Sequence, residues 1–383
     1  MLLQRPGVTT TKRLRLQGRR AKTIRVAGFR IYQRKRLLAG SPALFFERNM
    51  IHLYSRLIVT IALVLPLSLT AQTRPEEHCD TTSDMDSGAR AGIEAAAQQF
   101  FTDAQTGNTA AMQQRSIAAI ANSFQGIASA VQGNKDKIAG GQAHIRNEWL
   151  LDAPGTQAYD RAEFLCGTFN SPQRTTFVIP GLPAGRYAVA IQDVTGSKQP
   201  FTITYVLQQE AGQQWKLAGY YAKAHQIGPH DGLWYWVQAR DLKKQGSQHI
   251  SFFYYLEAAD LLAPVPFMST PQLESLYQEE GANVPRDIPQ NPQQPVPVNL
   301  NGQTFQIVQA FVVPDDKQGL DLVYKYSLPD ISDQVKTFQQ NMTFIKALVQ
   351  QYPEYKAFTT IVARAVAPNG QDFGTQLPVA EIK

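Results

Sequence analysis

An α+β fold is what this sequence predicts, on three observations. Apolar residues recur at helical spacing from Ala89 to Val131. Over 162–224 the period drops to two, in five alternating segments parted by short turns rich in Gly, Pro and Ser. Beyond a proline-rich stretch, strand patterns return around one strongly amphipathic helix. Helices followed by a meander of short-loop strands imply antiparallel neighbours with helices stacked on one face.

The chain opens with a basic leader, 1–49, which holds 13 Lys/Arg against one acid, Glu47. The segment 50–71 follows, with Arg56 ahead of an uncharged 57–73 run broken by Pro66. Its apolar core is short for a membrane span, which needs ~20 residues. Leu69-Thr70-Ala71 ends it with a small residue. The expectation is a signal peptide cut near Ala71, with Met50 as a start. The alternative is a signal-anchor, in which 57–71 is a transmembrane helix and the only membrane contact. Subtracting the thirteen positive charges of the leader and Arg56 from the overall +6 leaves 72–383 at −7. The pI of about 9.1 therefore belongs to the leader. Basic residues at 11–30 without aromatic interleaving do not make a nucleic-acid arm, so no nucleic-acid partner is expected.

Residues 72–86 are polar and acidic and read as disordered. A first domain spans 87–227. Ile93, Ala97, Phe100, Phe101 and Ala104 form a helix stopped by Gly107-Asn108, Thr109 caps a second, and weaker turns run to Val131 before a stretch, 133–141, that is loop-like at both ends. Strands follow at 162–169, 175–179, 186–194, 200–209 and 214–224. Cys79 and Cys166 both enter an oxidising compartment if the chain is exported. A disulfide between them and two unpaired thiols are both open, because sequence does not place the Cα atoms.

The helical start followed by YAVAIQDVTGSKQPFTITYVLQQEAGQQWKLAGYY resembles domains with the nuclear-transport-factor-2-like (NTF2-like, or cystatin-like) fold. The long strand, glycine turn and closing strand with Trp215, Lys216, Gly219 and Tyr220 carry the likeness, which covers 87–224. It implies a cone of helices on an antiparallel sheet. That family includes ketosteroid-isomerase-type enzymes and many non-catalytic binding and assembly domains. Its Asp base and Tyr/Asp oxyanion donors match no positions here, so no catalytic residue is carried over. The 177–187 stretch is also similar to the strand–turn–strand of prealbumin-like sandwiches, against which the helices argue.

Gly228-Pro229 opens a second unit, 228–283. Leu233, Trp236, Val237, Ala239 and Leu242 suit one helical face, and Ile250, Phe253, Tyr254, Glu257 and Leu261 a second. Trp236, Phe252, Leu256, Ala259 and Pro264 place this pair in a tetratricopeptide (TPR)-like pattern, from which Arg240 and Lys243 depart. No second copy follows, so a single docking αα-hairpin is expected instead of a solenoid. A third helix begins with Thr270 as cap and Pro271 at its first turn. The stretch 284–297 is a Pro-rich linker, and 298–383 a C-terminal α+β domain with an Asn301-Gly302 hairpin. Its helix places Ile331, Val335, Phe338, Met342, Ile345, Val349 and Tyr352 on one stripe.

Chemistry is sparse. No nucleophile elbow, HExxH, P-loop or dinucleotide fingerprint is present, so no catalytic residue and no cofactor is assigned. His225, His230 and Asp231 are the one metal-ligand candidate, against the plainer role of Asp231 as a helix cap. Trp234, Tyr235 and Tyr255 are candidates for a stacking surface, against the plainer role of core aromatics. Asp315-Asp316 and Asp84/Asp86 read as turn and tail residues. The expectation is a non-catalytic binding or assembly module of the bacterial envelope, periplasmic or secreted, with a protein, peptide or glycan partner. The alternatives are an isomerase-like or small-molecule pocket in the cone, and a structural protein that grips a partner by strand addition.

Overall fold

The computed structural model describes residues 76–382 apart from Gly212 and 316–318. The basic leader, the 50–71 segment with its export reading, and residues 72–75 lie outside the described residues. Among the described residues no helix is long and apolar enough to cross a membrane.

The chain is mixed α+β. Strand β1 (His78–Thr81) leads into α1 (Ser87–Thr106), α2 (Thr109–Gln114), α3 (Ala118–Ala121) and α4 (Gln125–Ile138). Then come β2 (Gln142–Ala153), β3 (Tyr159–Cys166), β4 (Thr175–Leu182), β5 (Gly185–Thr195), β6 (Phe201–Gln209) and β7 (Trp215–Ala224). Strands β1-β2-β5-β6-β7 form one antiparallel sheet in that order. Its alternation serves two cores. Leu150, Ala188, Ala190, Ile203 and Tyr205 meet the helices, where Ile93, Ala97, Phe100 and Phe101 are buried. Trp149, Leu151, Val189 and Ile191 face the other way, onto Phe164 and Phe177 of the β3–β4 hairpin.

Three expectations in this region are corrected. The 72–86 stretch contains an ordered strand: β1 pairs with β2 in the register Cys79↔Leu151, and Cys79 is disulfide-bonded to Cys166 with Cα atoms 5.2 Å apart. Asp86 is likewise no tail residue, because its carboxylate caps α1 by accepting from the Gly88 and Ala89 amides. Of the two loop-like ends expected for 133–141, the first is helix, α4 continuing through Gly133 to Ile138, and only the second breaks the chain. The longest strand of the sheet, β2, was not anticipated.

Two-residue strands β8 (Gln226–Ile227) and β9 (His230–Asp231) turn the chain into α5 (Gly232–Lys244), which packs on α6 (Gln248–Leu262). Asp231 Oδ1 accepts from the Trp234 amide and caps α5. Strand β10 (Met268–Ser269) joins β4, and α7 (Pro271–Gly281) starts with Thr270 as its cap, as its sequence predicts. The face of α5 differs from expectation: Leu233 and Val237 are exposed, while Tyr235, Trp236 and Ala239 are buried. The helix turns its small and aromatic side to α6, and two aliphatics are left outward.

The Pro-rich stretch ends in strand, not linker, since β11 (Val296–Leu300) pairs with β12 (Gln303–Pro314). Asn301 and Gly302, both at positive φ, make the hairpin. Strand β13 (Leu320–Ser327) precedes α8 (Gln334–Gln351), and β14 (Thr360–Val366) and β15 (Asp372–Pro378) complete a mixed sheet, β11-β12-β13-β14-β15. The β13–β14 pair alone is parallel, as a helical crossover requires. Helix α8 buries Phe344, Ile345 and Leu348 but leaves Val335 and Phe338 exposed, so its first turn overhangs the sheet. One apolar core joins α5 and α6 to this sheet, running from Tyr235, Phe253 and Tyr255 to Tyr324, Phe344 and Phe358.

Candidate functional site

The site starts from the helix-facing side of the first sheet. Glu148 and Leu150 share a parity on β2, and Leu150 lies in the helix-side core, so Glu148 points the same way. A register shift between Ile145 and Asn147 bends β2 beside it. Across the sheet Glu148 stands opposite Ala190, then Tyr205, then Tyr220. One row along, Ile145 stands opposite Gln192, then Ile203.

Helix α1 covers these rows with Phe100 and Phe101, but its flank presents Arg90, Glu94 and Gln98, at i, i+4 and i+8. Between that flank and β2 lies a cleft of about 540 Å³, lined also by Thr82, Ala143, His144 and Arg146. Thr82 Oγ1 donates to the Glu148 carbonyl at 3.2 Å, tying the end of β1 to the cleft wall.

Glu148 and Gln192 are each 1% exposed. Arg90 Nε is 3.1 Å from Glu148 Oε1, yet its N–H is directed at Glu94 Oε1, 3.0 Å away. Arg90 is thus shared between the two glutamates and, among the described residues, is the one side chain that reaches the Glu148 carboxylate, while Gln192 Oε1 has no hydrogen-bond donor. Burial pushes the Glu148 carboxyl above the ordinary range, Glu94 adds to that, and Arg90 opposes it. Arg146 is occupied by Asp193 at 3.2 Å. The Tyr205 and Tyr220 hydroxyls, deeper in the row, are buried without partners, and burial raises both. Such a cleft can accept hydrogen bonds from a ligand or exchange a proton with it.

The residues singled out by sequence fall elsewhere. His225 Nδ1 lies 3.2 Å from Thr202 Oγ1, which donates to Asp193 Oδ1, while His230 stacks on Trp234 with centroids 3.5 Å apart. With Asp231 capping α5, these three do not converge on a common point, and among the described residues no group of three or more His, Cys, Asp or Glu could hold a metal ion. Tyr235 and Tyr255 are corrections to the stacking surface, since both are core residues, and only Trp234 is partly open. The Tyr255 hydroxyl donates to Glu279, which also accepts from Trp236 Nε1 and Arg240. That set holds the Glu279 carboxyl down at about 2, the Arg240 hydrogen bonds contributing most.

Glu148 and Gln192 escaped notice in the sequence. The usable signal was Trp149-Leu150-Leu151 ahead of Pro154-Gly155, a short apolar run with a turn after it. No protein-family model, no curated protein and no solved structure matches the chain.

Proposed function

We propose that this protein is an exported binding module whose first unit, a cone of the NTF2-like kind, holds a small polar ligand in the cleft between α1 and β2. One observation carries the reading: the cleft wall holds two side chains withdrawn from water, Gln192, whose Oε1 meets no donor, and Glu148, whose carboxylate has only the Arg90 guanidinium it shares with Glu94. Unsatisfied buried acceptors cost ~1–3 kcal/mol each, and a ligand that donates to them recovers that cost. The cone supports a site of this kind because helices cover one face of the sheet while leaving its β2 end open. The Cys79–Cys166 bridge supports export, since disulfides persist in oxidising compartments. No nucleophile or oxyanion-donor set accompanies the carboxylate, so the reading is binding without turnover.

The test is a screen of the isotope-labelled chain against a mixture of water-soluble small molecules covering amines, polyols and carboxylates. The expected result is a saturable change at the amide and side-chain resonances of 145–148 and 192, lost in Gln192→Leu. A screen with no such change removes the reading. A second reading, a protein partner on the αα-hairpin of TPR-like pattern, is favoured by Leu233 and Val237, which lie exposed at i and i+4 on α5. In that case Leu233→Glu with Val237→Glu abolishes co-purification of a partner from the cell envelope while leaving the melting temperature unchanged.

A further inference from the structure

The last sheet ends at β15, whose outer edge carries unmet backbone groups. Ala367 N donates to the Gln371 carbonyl and Val379 N to the Thr359 carbonyl, so the odd-numbered residues of β15 exchange hydrogen bonds with β14. The amides and carbonyls of Asp372, Gly374 and Gln376 therefore point away from the sheet, and all three residues are exposed. Among the described residues nothing bonds these backbone groups. The opposite edge shows how such a row is closed. There β11 pairs with β12 through Leu300, Val298 and Val296, which turns Pro297, without an amide, outward. Strand β15 has no lysine, and its proline, Pro378, comes last. Helix α8 adds an apolar ledge. Asn341 Nδ2 donates to the Phe373 carbonyl and Thr375 Oγ1 on β15, and Gln350 meets Asn301 at the far hairpin. The helix axis run from Gln350 to Asn341 leaves the sheet at β15, and Val335 lies ~9 Å further along it at ~1.5 Å per residue. Val335 and Phe338, 68% and 47% exposed, thus overhang the open edge.

We infer that β15 is a docking edge, which takes a basic extended segment of a partner protein as the sixth strand of this sheet. An added strand meets the outward amides and carbonyls of Asp372, Gly374 and Gln376 with its own. Its residues paired to these three share their outer face, and the residues between turn toward α8. Apolar side chains at those alternate positions meet Val335 and Phe338. The charge follows from the start of α8, where two exposed carboxylates, Asp330 and Asp333, stand against one lysine, Lys336. Arg364 is spent on Asp372, and residues 72–383 carry −7. Lysine or arginine at the ends of the segment is therefore attracted, and acidic residues are repelled. A second copy of this chain fits worse. Pairing β15 with another β15 would bring both α8 helices over the same two strands, inside the ~8–10 Å that packed helices need, and would join two acidic chains.

The experiment titrates the isotope-labelled full chain with a short capped peptide of alternating threonine and valine, with lysine at each end. Two companion probes replace the lysines by glutamates, or N-methylate the threonine amides that face β15. The expected result is a saturable shift at the amides of Asp372, Gly374 and Gln376 and at the side-chain resonances of Val335 and Phe338. The glutamate peptide is expected to bind at least tenfold more weakly, and the N-methylated peptide to leave the edge amides unmoved. Gln376→Pro removes one outward amide without touching the β14 ladder, and Val335→Asp charges the ledge. Each is expected to raise the Kd of the lysine peptide at least tenfold while the far-ultraviolet spectrum stays native. Should Gln376→Pro fail to fold, the N-methylated peptide decides. No saturable shift with the lysine peptide, or undiminished binding in Gln376→Pro or by the N-methylated peptide, overturns strand addition. Equal or tighter binding of the glutamate peptide overturns the basic partner. A dimer in sedimentation analysis that Gln376→Pro dissolves overturns the foreign segment in favour of a second copy. These resonances belong to a different sheet from 145–148 and 192, so the outcome is separate from that of the cleft screen.

Discussion

Glu257 of α6 is 3% exposed, and its Oε1 has no hydrogen-bond donor. It lies where α6 meets β7, whose Lys223 reaches Asp260 on the same helix. Burial pushes its carboxyl up to about 8 from 4.5, Asp260 adds to the rise, and Lys223 offsets part of it. The unfolded chain thus releases this proton near pH 4.5, while the folded chain keeps it until pH 8. Stability from this group is full below pH 4.5 and is lost as pH rises through 8. Integrated between pH 5 and pH 9, the loss is about 4 kcal/mol, from ~1.4 kcal/mol per pH unit over the window. Glu257→Gln keeps the shape and does not titrate, so its stability escapes that decline. Urea unfolding followed by tryptophan fluorescence at pH 5, 7 and 9 measures both proteins. The difference between them should move by about 4 kcal/mol in favour of Glu257→Gln from the lowest to the highest pH. Parallel stability curves over that range would refute the argument.

Cys166→Ser should lower stability by ~4 kcal/mol in non-reducing urea titrations, because the bridge closes 87 residues of chain; an unchanged midpoint would count against the loop-closure account. Glu279→Gln should cost ~1–2 kcal/mol at neutral pH, discounted because Arg240 and Glu279 are partly exposed. Since the Glu279 carboxyl is held at about 2, that advantage is present above pH 4.5 and lost as pH falls through 2, so native and variant acid-unfolding curves should converge there. On α8, Phe344→Ala should cost ~3–5 kcal/mol in the same assay and Phe338→Ala under ~1 kcal/mol, reflecting the buried and exposed sides of one apparent stripe.

Much of the fold was legible because local chemistry and tertiary position agree. Strands β4 to β7 are β-branched and aromatic runs bounded by Gly and Pro turns, Asp231 and Thr270 cap the helices they precede, and Asn301-Gly302 makes its hairpin. Where the two disagree, the reading failed. Strand β2 is buried on both faces and bent at Ile145/Asn147, so Glu148-Trp149-Leu150-Leu151 shows no period of two. Strand β1 is too polar to be a strand by itself, and its order comes from pairing with β2 and from the covalent tie to Cys166. Val335 and Phe338 follow the helical period of α8 faithfully, but the sheet beneath is too short to cover them. The candidate site depended on exactly the strand that was missed. Its parts, Arg90 and Glu94 on a helix and Glu148 and Gln192 on two strands, form no linear motif, and only the register of β2 against β5 assembles them.

The common apolar core of α5, α6 and the last sheet bears on how the gene could be divided. Residues 292–295 are exposed and rich in Pro and Gln, which invites a cut there. Yet Ile288 before it and Val298 after it belong to the same core. A break at that place would leave the upstream fragment with an uncovered hairpin and the downstream fragment with an uncovered sheet. The two would be obligate complements, each soluble and folded in the company of the other, in the manner of a split reporter. A cut after β7 fares no better, because Phe267 and Met268 pack into the core beneath the first sheet and add to the β4–β10 ladder and the Arg174–Glu274 and Lys223–Asp260 ion pairs across that line.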